Sequence, residues 1–511
     1  MSYFALSQLQ QKSLKIDVIF KVLCYLITEI STEEPLMILS FVLFYFVILL
    51  IIGFLCRGKI HSIDDYFLAG RALPTYIAVP SIVATWFGAG SCLGVSAAMY
   101  RGGIQEIIPD PFGCSLALLI CACFFAAPLR KRGFISINDF IKERYGRSAE
   151  VFCSAISLPF YVGTLAAQMV AIGMIINQLT DFPINSCIIA SSCVIITYTL
   201  LGGLWAVAIT DGFQLGIFVL CLIILVYPIA TDHAIFADTF QIFYTELPEI
   251  LPKSHPEFGY WSYYGQWLMT GMGALIGQDL MQRILACKNE KVAKRSTFLA
   301  GIMYLVICMI PILLGIYGRS LNISGAGEGI LSHIVFHHYH SAIYALFVVS
   351  ILSVTMSTAD SYLLAGVTVL MQNILPKRNL NYALRLARIA SCTIAMIAAF
   401  VAIGIRDVYA IMVHSGVFLF IALFVPICAG LYCKRVYKLS CWGSMVAGIG
   451  VWASFLIFYS MRGAQDFEAL LYAAALVGML SSLISYLGIH WTLSLKEKSV
   501  IKPATLEITQ G

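Results

Sequence analysis

Oxygen-bearing side chains are concentrated in one otherwise apolar stretch, Ser353-Val354-Thr355-Met356-Ser357-Thr358-Ala359-Asp360-Ser361. Hard cations, including sodium, prefer oxygen ligands to nitrogen or sulfur. Serine and threonine hydroxyls in helices also bond back to their own backbone carbonyls, which is the structural alternative. Because Ser357, Thr358 and Asp360 follow one another within about one turn, the pattern favours a cation-binding segment.

Four carboxylates lie within or at the ends of apolar stretches: Asp110, Asp211, Asp279 and Asp360. A charge at the centre of a bilayer costs at least ~2.5 to 3.5 kcal/mol on insertion scales, so each is a candidate functional group. At comparable depth the only basic residue is Arg283, at an inner helix end. A pathway whose buried ionisable groups are acidic favours a cation. The alternatives are helix-start carboxylates for Asp110 and Asp211, and a local pair with Arg283 for Asp279.

Glycine-rich interruptions occur in two apolar stretches, Ser81–Ser91 and Gly271–Asp279. Hydrocarbon cannot satisfy exposed backbone groups, so an interruption at membrane depth usually lines a cavity. Small residues that let helices pack closely are the alternative. The interleaved polar and aromatic residues favour a solute site, for which the candidates are Trp86, Thr85, Ser91, Asp110, Gln278 and His414. Plain packing is the alternative for both Trp86 and His414.

The elements that must position these residues are membrane-spanning helices. The 511 residues are 60% hydrophobic and 12% charged, with mean hydropathy +0.88, whereas soluble domains carry about 25% charged residues. Windows of about 20 apolar residues predict about thirteen spans in one transmembrane domain over 37–492. They lie near 37–56, 75–98, 111–129, 152–179, 185–203, 208–230, 263–282, 297–318, 341–371, 384–404, 408–432, 441–460 and 467–492.

Lysine and arginine accumulate in cytoplasmic loops of membrane proteins, and here they are concentrated in alternate loops. The basic loops lie near 57–71, 130–147, 288–295, 377–388, 434–438 and 496–502. This predicts a plasma (inner) membrane protein with its N-terminus outside and its C-terminus in the cytoplasm. Residues 1–36 are then an extracytoplasmic segment, with an interfacial helix or an extra span as alternatives, and 493–511 form a short cytoplasmic tail. Lys12, Lys15 and Lys21 fit this orientation less well.

Other function classes find little support in the sequence. The formal charge of +5 is small for this length and gives no nucleic-acid signal. No nucleophile elbow, HExxH helix or phosphate loop predicts an enzyme or a cofactor, and the 16 scattered cysteines lack zinc-type spacing. A membrane sensor is disfavoured because the tail is too short for an output domain.

Four motifs in this order resemble the sodium/solute symporter family, which includes proline, pantothenate, sugar and choline carriers. They are Asp65-Tyr66-Phe67-Leu68-Ala69-Gly70-Arg71 with the interruption after it, Tyr198–Val207 running into Thr210-Asp211, Gln278–Arg283, and Met356–Ser361. The resemblance extends from about Asp64 to about Leu431. It implies a LeuT-like fold of two inverted five-helix repeats, near 75–230 and 263–432, with alternating access around a midplane site.

The resemblance also implies residue roles. Backbone carbonyls of Ala84, Phe87 and Val354 and the hydroxyls of Ser357 and Thr358 would form a sodium site. Asp211 would match the family's acidic residue on the cytoplasmic sodium exit route, and Asp360 is assigned to the same ion pathway.

The sequence around Ala84 to Gly90 is most similar to the choline-carrier branch, in which Trp86 matches one aromatic wall of an ammonium cage. At further cage positions this chain has Ser115, Thr164 and Gly277, so a quaternary ammonium cage is not supported. We therefore predict sodium-coupled import of a small polar organic solute, such as an amino acid or another amine-bearing solute. Sodium is the only metal expected, and the oligomeric state is left open. The alternative is a proton-coupled or uncoupled carrier on the same fold.

Overall fold

The computed structural model describes residues 34–180, 182–252, 254–321, 329–375, 380–405, 416–463 and 466–506. Within these ranges the chain is almost entirely helical, and the only β pairing is two isolated bridges, Leu73 with Cys287 and His255 with Gly259. Nearly all of the predicted N-terminal segment, 1–33, lies outside the described residues, as does His414.

The α-helices up to the longest outer loop are α1 (Glu34–Cys56), α2 (Ile63–Leu68), α3 (Thr75–Trp86), α4 (Val95–Gly102), α5 (Cys114–Ile120), α6 (Ala126–Arg132), α7 (Ile137–Tyr145), α8 (Arg147–Thr180), α9 (Ile184–Thr231) and α10 (His233–Glu246). Those that follow are α11 (Tyr260–Leu275), α12 (Gln278–Ala286), α13 (Glu290–Ser320), α14 (Ile330–His338), α15 (Ser341–Val369), α16 (Leu380–Gly404), α17 (Phe424–Tyr432), α18 (Lys438–Met461) and α19 (Phe467–Leu506). Turns of π-helix extend several of them, at Gly90–Gly94, Ile108–Gly113, Cys121–Phe125, Leu370–Ile374 and Leu419–Leu423.

Nine helices of the described chain are long and apolar enough to cross a membrane, or ten when the bent pair Thr75–Trp86 and Gly90–Gln105 is taken as one span. The other three predicted spans coincide with helices that are shorter or interrupted. They are Ile184–Thr197, α11 with α12, and Gly416–Tyr432. Each of the thirteen predicted positions therefore carries helical structure.

Local sequence explains where several of these helices begin and bend. Ser136 begins α7 with a capping box completed by Asp139, and the side chain of Asn289 caps α13. Inside α9, Gly203 has φ 51° and ψ −149°, and a Cβ at this position would lie 2.5 Å from the carbonyl oxygen of Tyr66. Only glycine fits there, and the resulting bend divides α9 into the two spans predicted from the sequence.

Both predicted interruptions are present. The second span is bent by 67° between α3 and the helix that begins at Gly90, and Phe87 between them has non-helical angles of φ −82° and ψ 85°. In the seventh span α11 ends at Leu275 and α12 begins at Gln278. Both helices thus depart from regular helical geometry inside the bundle, as expected for a binding site at membrane depth.

The predicted hydroxyl-bearing segment lies at the centre of the bundle. It belongs to α15, in which every residue from Phe347 to Val369 is buried, and α15 packs against α1, α8 and α9. Because its polar residues cannot reach water, their partners must come from α15 itself or from the neighbouring helices.

We predict that Gly271→Ala destabilises the fold. A Cβ on Gly271 would lie 2.4 Å from the carbonyl oxygen of Gly113 and 2.9 Å from Ala117 Cβ, so the α11 backbone would have to move away from the segment that carries Asp110. Overpacking of this kind costs about 1 to 3 kcal/mol. The measurement is the thermal unfolding midpoint of purified protein in detergent.

Gly216→Ala is the matched control, because Gly216 is also helical but exposed and its Cβ would meet nothing within 4 Å. This variant should unfold at or above the wild-type temperature, since alanine favours helix. Equal unfolding temperatures for the two variants would contradict the close approach of α11 to Gly113.

Candidate functional site

Oxygen atoms from the first interrupted helix and from α15 meet at the predicted sodium site. The hydroxyl of Ser357 lies 3.4 Å from the carbonyl oxygen of Ala84. The hydroxyl of Thr358 lies 3.3 Å from the same oxygen and 3.1 Å from the carbonyl oxygen of Val354. All four residues are buried, so the helix end and the hydroxyl pair form one shared cluster of oxygens.

Phe87, the fifth predicted sodium ligand, follows α3 directly. Its N–H still donates to the carbonyl of Val83 at 2.9 Å, but its ψ of 85° turns its own carbonyl out of the helical direction. A Cβ on the next residue, Gly88, would lie 3.0 Å from Thr358 Oγ1. The Phe87–Gly88 backbone therefore runs beside the same hydroxyl.

Asp211 of α9 adjoins this oxygen cluster directly. Its Oδ1 accepts a hydrogen bond from Ser357 at 2.5 Å, and its Oδ2 accepts one from Ser81 at 2.6 Å. Asp360, also assigned to the ion pathway, is buried on α15 two residues beyond Thr358. One carboxylate thus lies a single hydrogen bond from the candidate ion ligands.

The partner of Asp211 is Arg283, which lies one turn into α12 and is fully buried. Its Nη2 lies 3.4 Å from Asp211 Oδ2, and the same nitrogen donates to the Ser361 hydroxyl. The local pair with the Asp279 carboxylate considered from the sequence is therefore wrong, because Arg283 reaches only the carbonyl oxygen of Asp279, at 3.0 Å.

The carboxylate of Asp279 instead connects the two interrupted helices. Its Oδ2 accepts a hydrogen bond from Trp86 Nε1 at 3.0 Å. Trp86 is the last residue of α3 and Asp279 is the second residue of α12. This bond therefore joins the two helices where each is broken, and fixes the orientation of the indole.

A cavity of about 110 Å³ opens beside Trp86. The described residues that line it are Trp86, Gly88, Gly90, Ser91, Asp110, Cys114, Phe160, Thr164, Gln168, Met269, Ala274, Tyr304, Thr358, Tyr362 and Gly416. Three of the predicted solute-binding residues, Trp86, Ser91 and Asp110, are among them. Thr358, a predicted sodium ligand, also lines the cavity, so the two candidate sites adjoin.

The other predicted solute-binding residues are placed differently. Thr85 is buried in α3 and its hydroxyl donates to the carbonyl of Ser81 at 2.7 Å. Gln278 accepts from the N–H of Ile137 at 2.9 Å and donates to the carbonyl of Ile135 at 3.0 Å, so it ties the α12 start to the loop before α7. Neither belongs to the cavity lining.

Asp110 carries the one carboxylate among the described lining residues. Its Oδ2 accepts a hydrogen bond from the Ser91 hydroxyl at 2.5 Å, and its Oδ1 accepts one from the Tyr304 hydroxyl at 2.7 Å. The hydroxyl oxygens of Ser91 and Tyr304 lie 2.9 Å apart. A carboxylate offers about four acceptor positions. Ser91 and Tyr304 therefore hold the Asp110 carboxylate in place, and the carboxylate can still accept a hydrogen bond from a further donor.

Four aromatic rings share the cavity with this carboxylate: Trp86, Phe160, Tyr304 and Tyr362. Phe160 and Tyr362 pack edge to face with centroids 5.5 Å apart. Among the described lining residues there is no lysine, arginine or histidine. Aromatic faces and a carboxylate both attract cations, so the cavity suits a positively charged solute group.

Sequence reasoning did not find Phe160, Gln168, Tyr304 or Tyr362. Gln168 and Tyr304 are single polar or aromatic residues in apolar stretches, and Phe160 and Tyr362 give the same signal as packing aromatics. Of the three departures from the cage pattern, Thr164 lines the cavity and Gly277 lies in the second interruption. Ser115 instead donates to the carbonyl of Gly301 at 2.8 Å, which fixes α5 against α13.

Fold and site together define a multi-pass membrane transporter with two interrupted helices. The model of the sodium:solute symporter family matches residues 66–449, and the chain belongs to this family. The resemblance noted in the sequence is confirmed.

Two curated relatives are choline transporters. High-affinity choline transporter 1 of Drosophila melanogaster is 29% identical over 291 residues, which are 55% of this chain and 45% of that protein. High affinity choline transporter 1 of Homo sapiens is 27% identical over 324 residues, 60% of this chain and 55% of that protein. The chain thus spans about half the length of these two relatives.

A solved structure of a Na+-coupled sialic acid symporter, in a substrate-bound outward-open state, is similar with a TM-score of 0.73. The similarity covers 89% of this chain and 96% of that chain at 17% sequence identity. At this identity the likeness concerns the fold alone. The predicted all-α membrane fold with a LeuT-like repeat is confirmed.

We predict that Arg283→Met strongly destabilises the protein, because it leaves the buried Asp211 without its counter-charge. Breaking a buried pair by removing one partner typically costs about 3 to 5 kcal/mol. The double variant Asp211→Asn/Arg283→Met should recover part of this loss, since no uncompensated charge remains. Thermal unfolding midpoints of the purified variants measure both effects.

Arg435→Met is the control, because Arg435 is 70% exposed in its pair with Glu497 and exposed pairs contribute about 0 to 1 kcal/mol. An Arg283→Met protein that unfolds at the wild-type temperature would refute the structural role of the pair. So would a double variant no more stable than the single one.

Proposed function

We propose that this protein is a sodium-coupled symporter that imports a small organic solute bearing a protonated amine. The observation that carries the proposal is the position of Thr358. Its hydroxyl lies among the oxygens of Ala84 and Val354, and the same residue lines the solute cavity. An ion and a solute bound here would share one side chain.

The ion half of the proposal rests on oxygen chemistry. The atoms that converge are oxygens, namely two hydroxyls and the carbonyls of Ala84 and Val354, and the Phe87 backbone runs beside them. Hard cations are bound by such oxygens. The nearby carboxylate of Asp211 adds electrostatic attraction for a cation and lies on its proposed route to the cytoplasm. Membership of the sodium:solute symporter family supports sodium as that ion.

The solute half rests on Asp110 and the aromatic rings. A protonated amine can donate to the acceptor positions that Ser91 and Tyr304 leave open on Asp110, while its charge faces the ring of Trp86. Choline, which the names of two relatives mention, carries a comparable positive charge but no N–H donor. An amine with N–H groups can also donate hydrogen bonds to the Asp110 carboxylate.

Transport then depends on coupled binding of sodium and solute. Sodium bound between α3 and α15 would hold the interrupted helix against α15 and fix Thr358 and Trp86 at the cavity wall. Solute binding is favoured by that arrangement, and by reciprocity bound solute favours sodium. We propose import with the N-terminus outside and the C-terminus in the cytoplasm of the plasma (inner) membrane, in keeping with the alternate basic loops.

Proton coupling is the second candidate, because Asp211 is a buried carboxylate beside the candidate ion ligands and a proton on it would replace the ion's charge. Replacement of sodium by potassium at constant pH separates the two. A sodium-coupled carrier loses solute binding, whereas a proton-coupled carrier keeps it.

We predict that Thr358→Val weakens sodium binding by about ten- to a hundredfold, since a contact to a charged group is worth about 1.5 to 3 kcal/mol. The measurement is the sodium concentration that gives half-maximal thermal stabilisation of purified protein. Thr393→Val is the matched control, because the Thr393 hydroxyl also bonds to its own helix, at Ile389, but lies on an exposed face. An unchanged sodium midpoint in Thr358→Val would remove this residue from the ion site.

We also predict that Asp110→Asn weakens sodium-dependent binding of ethanolamine by about ten- to a hundredfold, because the charge-assisted contact is lost. Binding of choline should change less, since choline has no N–H to donate. Asp232→Asn serves as the control because Asp232 is exposed and only caps α10, which asparagine does equally well. Equal losses for the two ligands would argue against a hydrogen-bonded ammonium at Asp110.

A further inference from the structure

The cavity has a second polar side, formed by α8. Thr164 and Gln168 lie four residues apart, so they share one face of the helix, and both line the cavity. They are 1% and 3% exposed. The hydroxyl of Thr164 has no hydrogen-bond partner among the described residues, and the side-chain amide oxygen of Gln168 accepts no hydrogen bond there.

Buried polar groups of this kind are normally satisfied. Other hydroxyls in the bundle, including those of Thr199 and Thr210, bond back to their own helices at 2.8 and 2.9 Å. Thr164 makes no such bond although it lies in a regular helix. One helical turn further on, the side-chain amide oxygen of Gln168 also has no partner among the described residues. Two side chains on one face of α8 are therefore available to a solute in the cavity.

Gln168 of this pair lies on the Thr358 side of the cavity. A Cβ placed on Gly88 would lie 3.2 Å from Gln168 Oε1 and 3.0 Å from Thr358 Oγ1, so both oxygens face the interrupted backbone at Gly88. Asp110 is held by the separate group of Ser91 and Tyr304. The cavity therefore offers two different kinds of polar contact, a carboxylate and a neutral hydroxyl–amide pair.

The chemistry of the second contact selects a neutral group. A threonine hydroxyl and a glutamine amide each donate and accept, which matches a solute hydroxyl. A solute carboxylate buried here would carry an unpaired charge, because the described lining residues include no lysine, arginine or histidine, and an unpaired buried charge is costly. The buried guanidinium of Arg283 is bonded to Asp211, Ser361 and the Asp279 carbonyl and does not line the cavity.

We propose that Thr164 and Gln168 form a subsite for a neutral hydroxyl group of the transported solute, which makes the substrate a small amino alcohol rather than an amino acid. This inference rests on the proposed function, because it takes Asp110 as the ammonium site. It adds a second recognition point and a substrate class.

The test uses three ligands of similar size on the full-length purified protein in sodium: ethanolamine, propylamine and glycine. Affinities come from thermal stabilisation titrations. Ethanolamine should bind at least about tenfold more tightly than propylamine, because only its hydroxyl satisfies the subsite. Glycine should bind more weakly than ethanolamine, because its carboxylate finds no basic partner.

Gln168→Leu and the near-isosteric Thr164→Val should each reduce the preference for ethanolamine over propylamine, to within about twofold in the double variant, with propylamine affinity little changed. Thr199→Val is the control, because Thr199 is equally buried but bonds within its own helix. It should keep the wild-type preference. Should either α8 variant fail to fold, the other one and the wild-type comparison remain informative.

Any one of the following results would overturn the inference. They are equal affinities of the wild type for ethanolamine and propylamine, glycine binding as tightly as ethanolamine, or an undiminished preference in the double variant. Binding of none of the three ligands would also overturn it. Sodium-independent binding with the ethanolamine preference intact would instead contradict the proposed coupling and leave the hydroxyl subsite standing.

Discussion

The buried ion pair between Asp211 and Arg283 determines how the four helices around the candidate site are arranged. Neither charge can remain alone at membrane depth, because an isolated charge there is costly. Asp211 on α9 also accepts from Ser81 on α3 and Ser357 on α15, and Arg283 on α12 donates to Ser361 on α15. Satisfying one pair of charges therefore brings both interrupted helices against the hydroxyl-bearing helix.

A second consequence of this network is that the solute cavity and the candidate ion site are mechanically connected. Trp86 lines the cavity, donates to Asp279 at the start of α12, and belongs to the same helix as Ala84. Arg283 follows Asp279 by one turn of α12. If solute displaced the indole, α12 would therefore have to move, and α12 carries Arg283, the counter-charge of Asp211. Such a connection is a physical basis for coupling, because both ligands bias the same set of packed elements.

The sequence was sufficient for the features that depend on composition along one helix. Glycine-rich breaks at Gly88 and Gly277 and the hydroxyls of Ser357 and Thr358 are anomalies in apolar stretches, and each is recognisable by itself. The partners of buried charges were not predictable in this way. Arg283 lies one turn from Asp279 in the sequence, yet its guanidinium reaches Asp211, 72 residues away along the chain, because only the tertiary packing decides which carboxylate is near.

The same limit applies to the cavity wall. Tyr304 and Gln168 are lone residues in long apolar helices, where a packing role gives the same pattern. Gln278 lies beside a break, which predicts a solute contact, yet its side chain is bonded to the backbone of Ile135 and Ile137. Proximity to an interruption predicts burial, but the direction of the side chain depends on neighbours that are distant in sequence.

The charges around the candidate ion site also bear on why a cation would bind there. Asp211, Asp279 and Arg283 form one connected buried group, and with both carboxylates ionised it carries one negative charge more than positive. A low-dielectric interior magnifies such an excess, and a monovalent cation held by the oxygens of Ala84, Ser357 and Thr358 would neutralise it. In the proposed site the hydroxyls and carbonyls would provide the ligands, and the attraction would come from the unbalanced carboxylate. This charge excess would explain cation binding by a cluster whose proposed ligands are all uncharged.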